Sequence, residues 1–535
     1  MSKPASRSQE YLLVAMLALV LAAISLSYCY SHGLLLLYGD AVAHLHIARR
    51  LFDSRRPGFR QLGTVWLPLP HLLMLPFVNM AWWRNGLAGA WPSIACYIAA
   101  ATGIYRLARF WLPPLMSLVA FAAFALNPGL LYFATTAMTE PLFLAEMIWA
   151  VVFLVAFRLH MAKGERAEAQ RALIRMTLVL VAAIFTRYDG WVLAFLAWLF
   201  VVQVWFPLRR NREMTRAFIV MTTALAIAPL IWLVYNQYLS GDALDFLRGP
   251  YSAKAIDART TRPGSPHYPG YHSMRVAAVY FFKSAKLGAG SGTAGDWIAW
   301  LAAAGCVVGG WIYRKKSVAP LLLLWLPLAF YAYCIAYGAV PIFLPIWWPF
   351  SWYNTRYGME LLPTLALFPV FLFALIPVKL ARWRDAAAVC ALALIVFNAY
   401  RTARATPLVL QEARANSATR IPFERALART LVYMPPRVTL LMYTSQYVGA
   451  LQRAGIPLKQ TLNEGDFREW QAALLDPAGQ ADYVLATDGD AVAAAVKAHP
   501  QGLQEVSVIC STGQPCARLY VSPARAARSD LYTGR

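Results

Sequence analysis

Charge is scarce in this chain. Only 14% of its 535 residues are Asp, Glu, Lys or Arg, while 59% are hydrophobic. A soluble domain carries about 25% charged residues, so a water-soluble globule is excluded. Acid is scarcer than base: 26 Asp and Glu stand against 49 Lys and Arg, a formal net charge of +23. Seven cysteines in this length are too few for a disulfide scaffold. No segment reads as a nucleic-acid-binding module, so nucleic acid is not an expected partner despite the positive balance. There is no internal repeat, and an inverted one would have favoured a transporter. The glycine-rich stretches are too weak for a nucleotide site. No metal ligand set stands out either. His44 and His46 are two apart and point to different faces of a helix, and no cysteine pair has further ligands nearby. No cofactor is expected, and a divalent metal finds no support in the sequence.

What the chain has instead is long apolar runs. A hydrocarbon core about 30 Å thick needs about 20 apolar residues per helix. By that measure the sequence predicts a polytopic helical membrane protein of about eleven spans, near 11–37, 86–107, 113–130, 140–158, 172–186, 190–208, 216–236, 296–313, 318–338, 361–378 and 384–400. The first run is too long for a signal peptide and lacks a small-residue cleavage site, so it reads as a retained helix.

Basic clusters recur on alternate loops: Arg106 and Arg109, Lys163 to Arg175, Arg209 to Arg216, Arg314 to Lys316, and Lys379 to Arg384. That side is expected to be cytoplasmic. The N-terminus then lies in the cytoplasm of a cell with this protein in its plasma (inner) membrane, and the C-terminal region lies outside. Arg49, Arg50, Arg55, Arg56 and Arg60 break the pattern, because they fall in the first outer loop. Positive charge on the wrong side calls for another reason, and an anionic substrate is one.

Two domains are expected, a membrane domain over 1–400 and an extracytoplasmic one over 401–535. The tail holds 15 Lys and Arg against 11 Asp and Glu, so most of the net charge belongs to the membrane part. Within the tail, strand-like runs near 438–443, 482–485, 503–510 and 517–521 alternate with helix-like runs near 421–432, 445–454, 466–475 and 491–498. That alternation predicts a small α/β layer. With the tail outside, Cys510 and Cys516 are placed to close a disulfide loop between two strands, the alternative being two free thiols, while the other five cysteines pack as small apolar residues. In the first outer loop an amphipathic helix is expected near 40–53, followed by a proline-broken interfacial run over 61–76. The outer loop over 237–295, with His267 and His272, reads as a mobile cover over a site.

Candidate chemistry gathers at the outer ends of the spans. Asp40 opens the first outer loop, where a carboxylate is costly unless water, a partner or chemistry holds it. It is a candidate catalytic base and equally a helix cap. His44, four residues on, shares its face. Glu140 in Thr139-Glu140-Pro141 is a second candidate acid, with a structural alternative: Thr139 caps, and Glu140 complements the helix dipole. Asp189 in Thr186-Arg187-Tyr188-Asp189-Gly190 reads as an N-cap, and Arg187 as a phosphate ligand. Arg356, set among Trp347, Trp348, Trp352, Tyr353 and Tyr357, suits a lipid phosphate, since guanidinium binds such oxyanions in bidentate fashion. Snorkelling is the alternative. Arg49, Tyr188 and Tyr357 complete the candidate substrate-binding set.

These motifs, in this order within the spans, resemble the GT-C integral membrane glycosyltransferases. That group includes the protein O-mannosyltransferases and the bacterial transferases that place aminoarabinose on lipid A. The resemblance covers residues 11–400 and rests on Gly39-Asp40, the paired amphipathic segments after it, Thr139-Glu140-Pro141, Thr186-Arg187-Tyr188-Asp189-Gly190, and Thr355-Arg356-Tyr357-Gly358 leading into Leu361-Leu362-Pro363. It implies a polyprenyl-phosphate sugar donor, transfer on the non-cytoplasmic face, and the first-loop acid as base. Many relatives carry two adjacent acids there, whereas Asp40 is followed by Ala41. The acceptor is left open among lipid, glycan and protein, with membrane lipids as the surroundings. The alternative activity is a transporter or flippase of a lipid-linked sugar, which would place polar residues at span midpoints. Here they sit at the outer ends. A membrane scaffold without activity would need neither Asp40 nor Arg356 on the outer side.

Overall fold

In a membrane every backbone polar group must find its partner within the protein, which leaves the helix as the unit of construction for an apolar chain of this kind. The computed structural model describes residues 7–261, 264–313 and 318–525. Among these, ten helices are long and apolar enough to cross a membrane. One of the eleven expected spans, 113–130, is cut short. Its helix Pro114–Ala125 has 12 residues, and a new one, Pro128–Phe133, starts at once. The break is local chemistry: the Asn127 side chain accepts from the backbone N–H of Gly129 and Leu130 at 2.9 and 3.1 Å, with Pro128 fixed in the first turn. The basic cluster Arg314 to Lys316 lies outside the described residues.

The chain forms two compact units. One comprises Met1–Gly33, Thr64–Pro70 and Ala90–Glu412, the other Leu34–Gly63, His71–Gly89 and Ala413–Arg535. The first unit holds the apolar helices. Its entry helix Arg7–Ser31 is tied by Glu10, which accepts from Arg109 Nε at 2.9 Å and from Tyr105 Oη at 3.0 Å. Helix Ala294–Ile312 lies against the 3-10 segment Phe368–Leu375 so closely that a Cβ on Gly305 would stand 1.9 Å from the Phe368 carbonyl oxygen. The stretch read as a mobile cover contains the helices Asp245–Arg248, Ala253–Thr260 and Met274–Ala289. Met274–Ala289 buries Ala277, Phe281, Ser284 and Ala285, and Ser284 Oγ donates to the Thr355 carbonyl at 2.6 Å.

The second unit contains the small α/β layer. Its sheet runs in the order β2-β1-β3-β5-β4, with β1 at Leu440–Met442, β2 at Thr461–Leu462, β3 at Tyr483–Thr487, β4 at Gln504–Ile509 and β5 at Ala517–Val521. β2, β1 and β3 are parallel, and β3, β5 and β4 antiparallel. Helices Arg420–Leu431, Thr444–Ala454, Arg468–Leu475 and Ala491–Ala498 fall where the helix-like runs were read. Cys510 and Cys516 are bonded across the β4–β5 turn. The two-residue strand β2 was not expected, being too short to show a pattern.

The amphipathic segment of the first loop is the helix Gly39–Arg50, which ends three residues earlier than expected. Around it the loop packs with the tail. Arg55 Nε and Arg56 Nη2 pair with Glu469 at 3.3 and 2.7 Å, and Gln61 Nε2 donates to the Gly465 carbonyl at 3.2 Å. Arg420 and Arg453 converge on the buried Glu424 at 2.5 and 3.1 Å. Five outer-loop arginines therefore do not all await a ligand: Arg49 is held by Asp53 at 2.7 Å, and Arg50 donates to the Gln61 carbonyl.

Two outcomes test this packing. Gly305→Val drives a side chain into backbone, where overpacking costs about 1–3 kcal/mol. Its thermal unfolding midpoint in detergent is expected to fall, while Gly310→Ala, with open space at its Cβ, leaves the midpoint unchanged. The second concerns pH. Burial pushes the Asp466 carboxyl up to about 6, against the opposing pull of the Asn463 N–H that donates to it. A carboxyl raised on folding binds its proton more tightly in the folded state, so its contribution to stability is greatest at low pH and is lost as pH rises through 6. Asp466→Asn should therefore stabilise the protein relative to wild type at pH 7, with the difference shrinking toward pH 4. A pH-independent difference would refute this.

Candidate functional site

The ends of four apolar segments bring two arginines and four carboxylates together in the first unit. Glu140 begins the helix Glu140–Lys163. Its Oε1 stands 3.4 Å from Arg356 Nε and 3.8 Å from Arg187 Nη1, so one carboxylate serves both guanidiniums. Arg187 sits at the break between helices Arg166–Thr186 and Tyr188–Trp205 in extended backbone. Its Nη2 pairs with Glu360 Oε1 at 3.1 Å and its Nε with Asp189 Oδ2 at 3.3 Å. Its Nη1 donates to Thr139 Oγ1 at 2.8 Å, and its Nη2 also to Tyr331 Oη at 2.5 Å. Tyr331 Oη lies 2.7 Å from Glu360 Oε1 and 3.3 Å from Asp189 Oδ2. All three nitrogens of Arg187 are thus engaged.

Arg356 lies in the 3-10 turn Thr355–Leu361. Its Nη1 pairs with Glu412 Oε1 at 3.3 Å, and its own backbone N–H donates to Glu412 Oε2 at 3.2 Å. Thr355 Oγ1 donates to the same oxygen at 2.5 Å. The guanidinium rests over the Tyr357 ring at 4.9 Å, and Tyr357 stacks on Tyr331 at 4.7 Å. Snorkelling is therefore not the account of Arg356: only 8% of the residue is exposed, and it is paired with buried acids.

Four carboxylates against two guanidiniums leave the cluster formally at −2. Both oxygens of Glu140 and Oε2 of Glu360 are buried with no hydrogen-bond donor among the described residues. Buried acceptors without donors are costly, and such a site favours a ligand rich in O–H or N–H groups. Among the described residues no group of three or more His, Cys, Asp or Glu is placed to hold a metal ion.

Several structural alternatives from the sequence change here. Asp189 is not the N-cap of its helix; that position is Arg187's, and the Asp189 carboxylate turns to Arg187 and Tyr331. Thr139 does occupy an N-cap position but makes no capping hydrogen bond, its hydroxyl facing Arg187. Tyr188 points elsewhere: its hydroxyl donates to the Val65 carbonyl at 2.7 Å and its ring stacks on Phe246 at 4.7 Å. Glu360, Glu412 and Tyr331 were not singled out in the sequence. The signal was available for the first, an acid four residues after Arg356 at the head of an apolar run.

In the second unit, Asp40 is the second residue of helix Gly39–Arg50, whose N-cap is Tyr38. It is a first-turn acid, favourable to the helix dipole, and not the cap. His44 Nδ1 and His71 Nε2 share a hydrogen bond at 2.9 Å, both rings being buried. Arg49, besides Asp53, donates to the Val78 carbonyl at 2.9 Å and lies over Phe52 at 5.0 Å.

No family model matches the chain, and no curated protein matches it. Solved structures do. The crystal structure of ArnT from Cupriavidus metallidurans bound to undecaprenyl phosphate matches with a TM-score of 0.55 at 12% identity, over 96% of this chain and 98% of that one. The same protein in the apo state gives 0.55 and 12%, over 98% and 99%. The likeness is one of architecture along the whole chain: this protein shares the fold of those structures, with apolar membrane helices in one unit and a small C-terminal α/β layer in the other.

Proposed function

We propose that the protein is a glycosyltransferase of the extracytoplasmic face, which moves a sugar from a polyprenyl-phosphate donor to a lipid, glycan or protein acceptor with inversion at the anomeric carbon. The observation that carries this reading is the full-length likeness to a structure holding undecaprenyl phosphate. The meeting of Arg187 and Arg356 at Glu140 adds chemical support.

In the proposed reaction the acceptor hydroxyl gives its proton to Asp40 as its oxygen attacks the anomeric carbon. The bond from that carbon to the phosphate oxygen breaks, and polyprenyl phosphate leaves. A positioned carboxylate base is worth about 10²–10⁴-fold in rate. The departing phosphate gains charge, which a fixed cation in a water-poor site stabilises. Arg356 takes that role, because its planar fork over Tyr357 suits a bidentate phosphate. Arg187 supports it at one remove: its nitrogens are committed to Thr139, Tyr331, Asp189 and Glu360, so it lends charge and holds the acids in place. Glu140, with acceptor oxygens to spare, orients sugar or acceptor hydroxyls. His44 and Arg49 shape the helix that carries Asp40.

The test is to add a polyprenyl-phosphate sugar to purified protein and follow release of the lipid phosphate. Release dependent on an acceptor supports transfer. Sugar lipid crossing a vesicle bilayer without release would replace it with the flippase alternative. Asp40→Asn is expected to lower turnover by about 10²-fold or more while the unfolding midpoint stays that of wild type; wild-type turnover would remove Asp40 from the reaction. Arg356→Lys keeps the charge beside Glu412 but loses the planar fork. It is expected to cut turnover about 10²–10³-fold, the loss seen when one oxyanion donor is removed, and an unchanged rate would argue against phosphate contact there.

A further inference from the structure

A second site lies in the first unit, at the turn between helices Tyr188–Trp205 and Arg212–Ser240. Arg209, Arg210, Arg212 and Arg216 line a cavity of about 330 Å³, whose wall continues onto Ile219 and Val220. Arg209 donates to the Phe206 carbonyl at 2.9 Å. Among the described residues the side chains of Arg210, Arg212 and Arg216 make no ion pair or hydrogen bond, and no acid lines the cavity. Four like charges at the end of a hairpin repel one another, so the turn must be held by other means.

It is. The Thr215 hydroxyl donates to the Arg209 carbonyl at 2.8 Å and accepts from Trp205 Nε1 at 3.1 Å. The Asn211 side chain caps the long helix through the Met214 N–H at 3.0 Å, and Trp205 stacks on Phe218 at 4.2 Å. The turn is therefore pre-organised with its cations outward. The apolar wall below it is bare: Ile219 is 55% and Val220 60% exposed, and Ile227, Leu230 and Ile231 carry exposed apolar surface further along the same helix. A rule of topology asks for positive charge in such a loop. It does not ask for a braced cavity of arginines standing at the head of an exposed apolar ridge.

We propose that this turn binds the headgroup of an anionic phospholipid, with the lipid's acyl chains lying along Ile219 and Val220. Cations near an anionic lipid surface each contribute about fivefold to the binding equilibrium, and arginine engages phosphate with two parallel hydrogen bonds. The site is separate from the Glu140 cluster and does not depend on the proposed transfer reaction.

The experiment uses the full chain in detergent, with phosphatidylglycerol and phosphatidylcholine of the same acyl chains as probes. Bound lipid is counted by native mass spectrometry. Wild type is expected to retain phosphatidylglycerol in preference to phosphatidylcholine. The variant Arg210→Gln/Arg212→Gln/Arg216→Gln should lose that preference by about tenfold or more, whereas Arg166→Gln/Arg175→Gln, in another basic loop, should keep it. Equal retention of the two lipids by wild type, or equal loss in both variants, overturns the proposal. A second measurement needs no variant: amide exchange over 206–216 in wild type should slow when phosphatidylglycerol is added and not when inorganic phosphate is added. Exchange unaffected by the lipid, or slowed equally by phosphate, also overturns it.

Discussion

The membrane region depends on one contact at the ends of its helices, the meeting of two guanidiniums at a single buried carboxylate. Glu140 lies within ion-pair reach of both Arg187 and Arg356, and each arginine then recruits its own acids, Asp189 and Glu360 for the first and Glu412 for the second. Taking charges out of water costs several kcal/mol per ion before their attraction is counted, and breaking such a pair by removing one partner costs about 3–5 kcal/mol. A chain that needed only helix packing would fill these positions with leucine. Keeping six ionisable groups there makes sense where their field is used.

That field also divides the labour between the two arginines. Arg187 is surrounded on every nitrogen, and its aromatic neighbours Phe143 and Tyr357 close the remaining faces. It fixes the ends of three helical segments to one another. Arg356 is anchored to Glu412 through its backbone N–H and Nη1, its Nε lies 3.4 Å from Glu140, and its Nη2 reaches the Tyr357 hydroxyl at 3.5 Å. The oxygens of Glu140 that accept no hydrogen bond mark the place where the cluster is incomplete by itself.

The sequence carried much of this, unevenly. The helices were legible because hydrophobic run length is a strong signal, and the tail because its strand-like and helix-like runs alternate over short distances. The span at 113–130 misled because hydropathy does not register the cap that Asn127-Pro128 imposes. Arg187, Arg356 and Glu140 were legible as charges at outer helix ends. Their mutual contact was not, since they lie up to 216 residues apart and no local pattern links them. Asp189 was misread for a different reason. Its position suits a cap, but Arg187 is the extended residue that takes the cap position, and the Asp189 carboxylate divides itself between the Arg187 guanidinium and the N–H of the next residue, Gly190.

The arginines of the first loop sharpen the argument from charge. Read along the chain, they asked for an anionic ligand. In the structure Arg49, Arg55 and Arg56 have carboxylate partners within the second unit, and Arg50 has a carbonyl. Their excess on that side is accounted for by folding, and the case for anion recognition passes from number to geometry. A cation whose hydrogen bonds are all spent on its own fold stabilises that fold. A cation braced outward with no ion pair of its own is available to a ligand. Among the described residues the side chains of Arg210, Arg212 and Arg216 are of that kind. Net charge, the most conspicuous number in this sequence, does not distinguish them from the structural arginines around them.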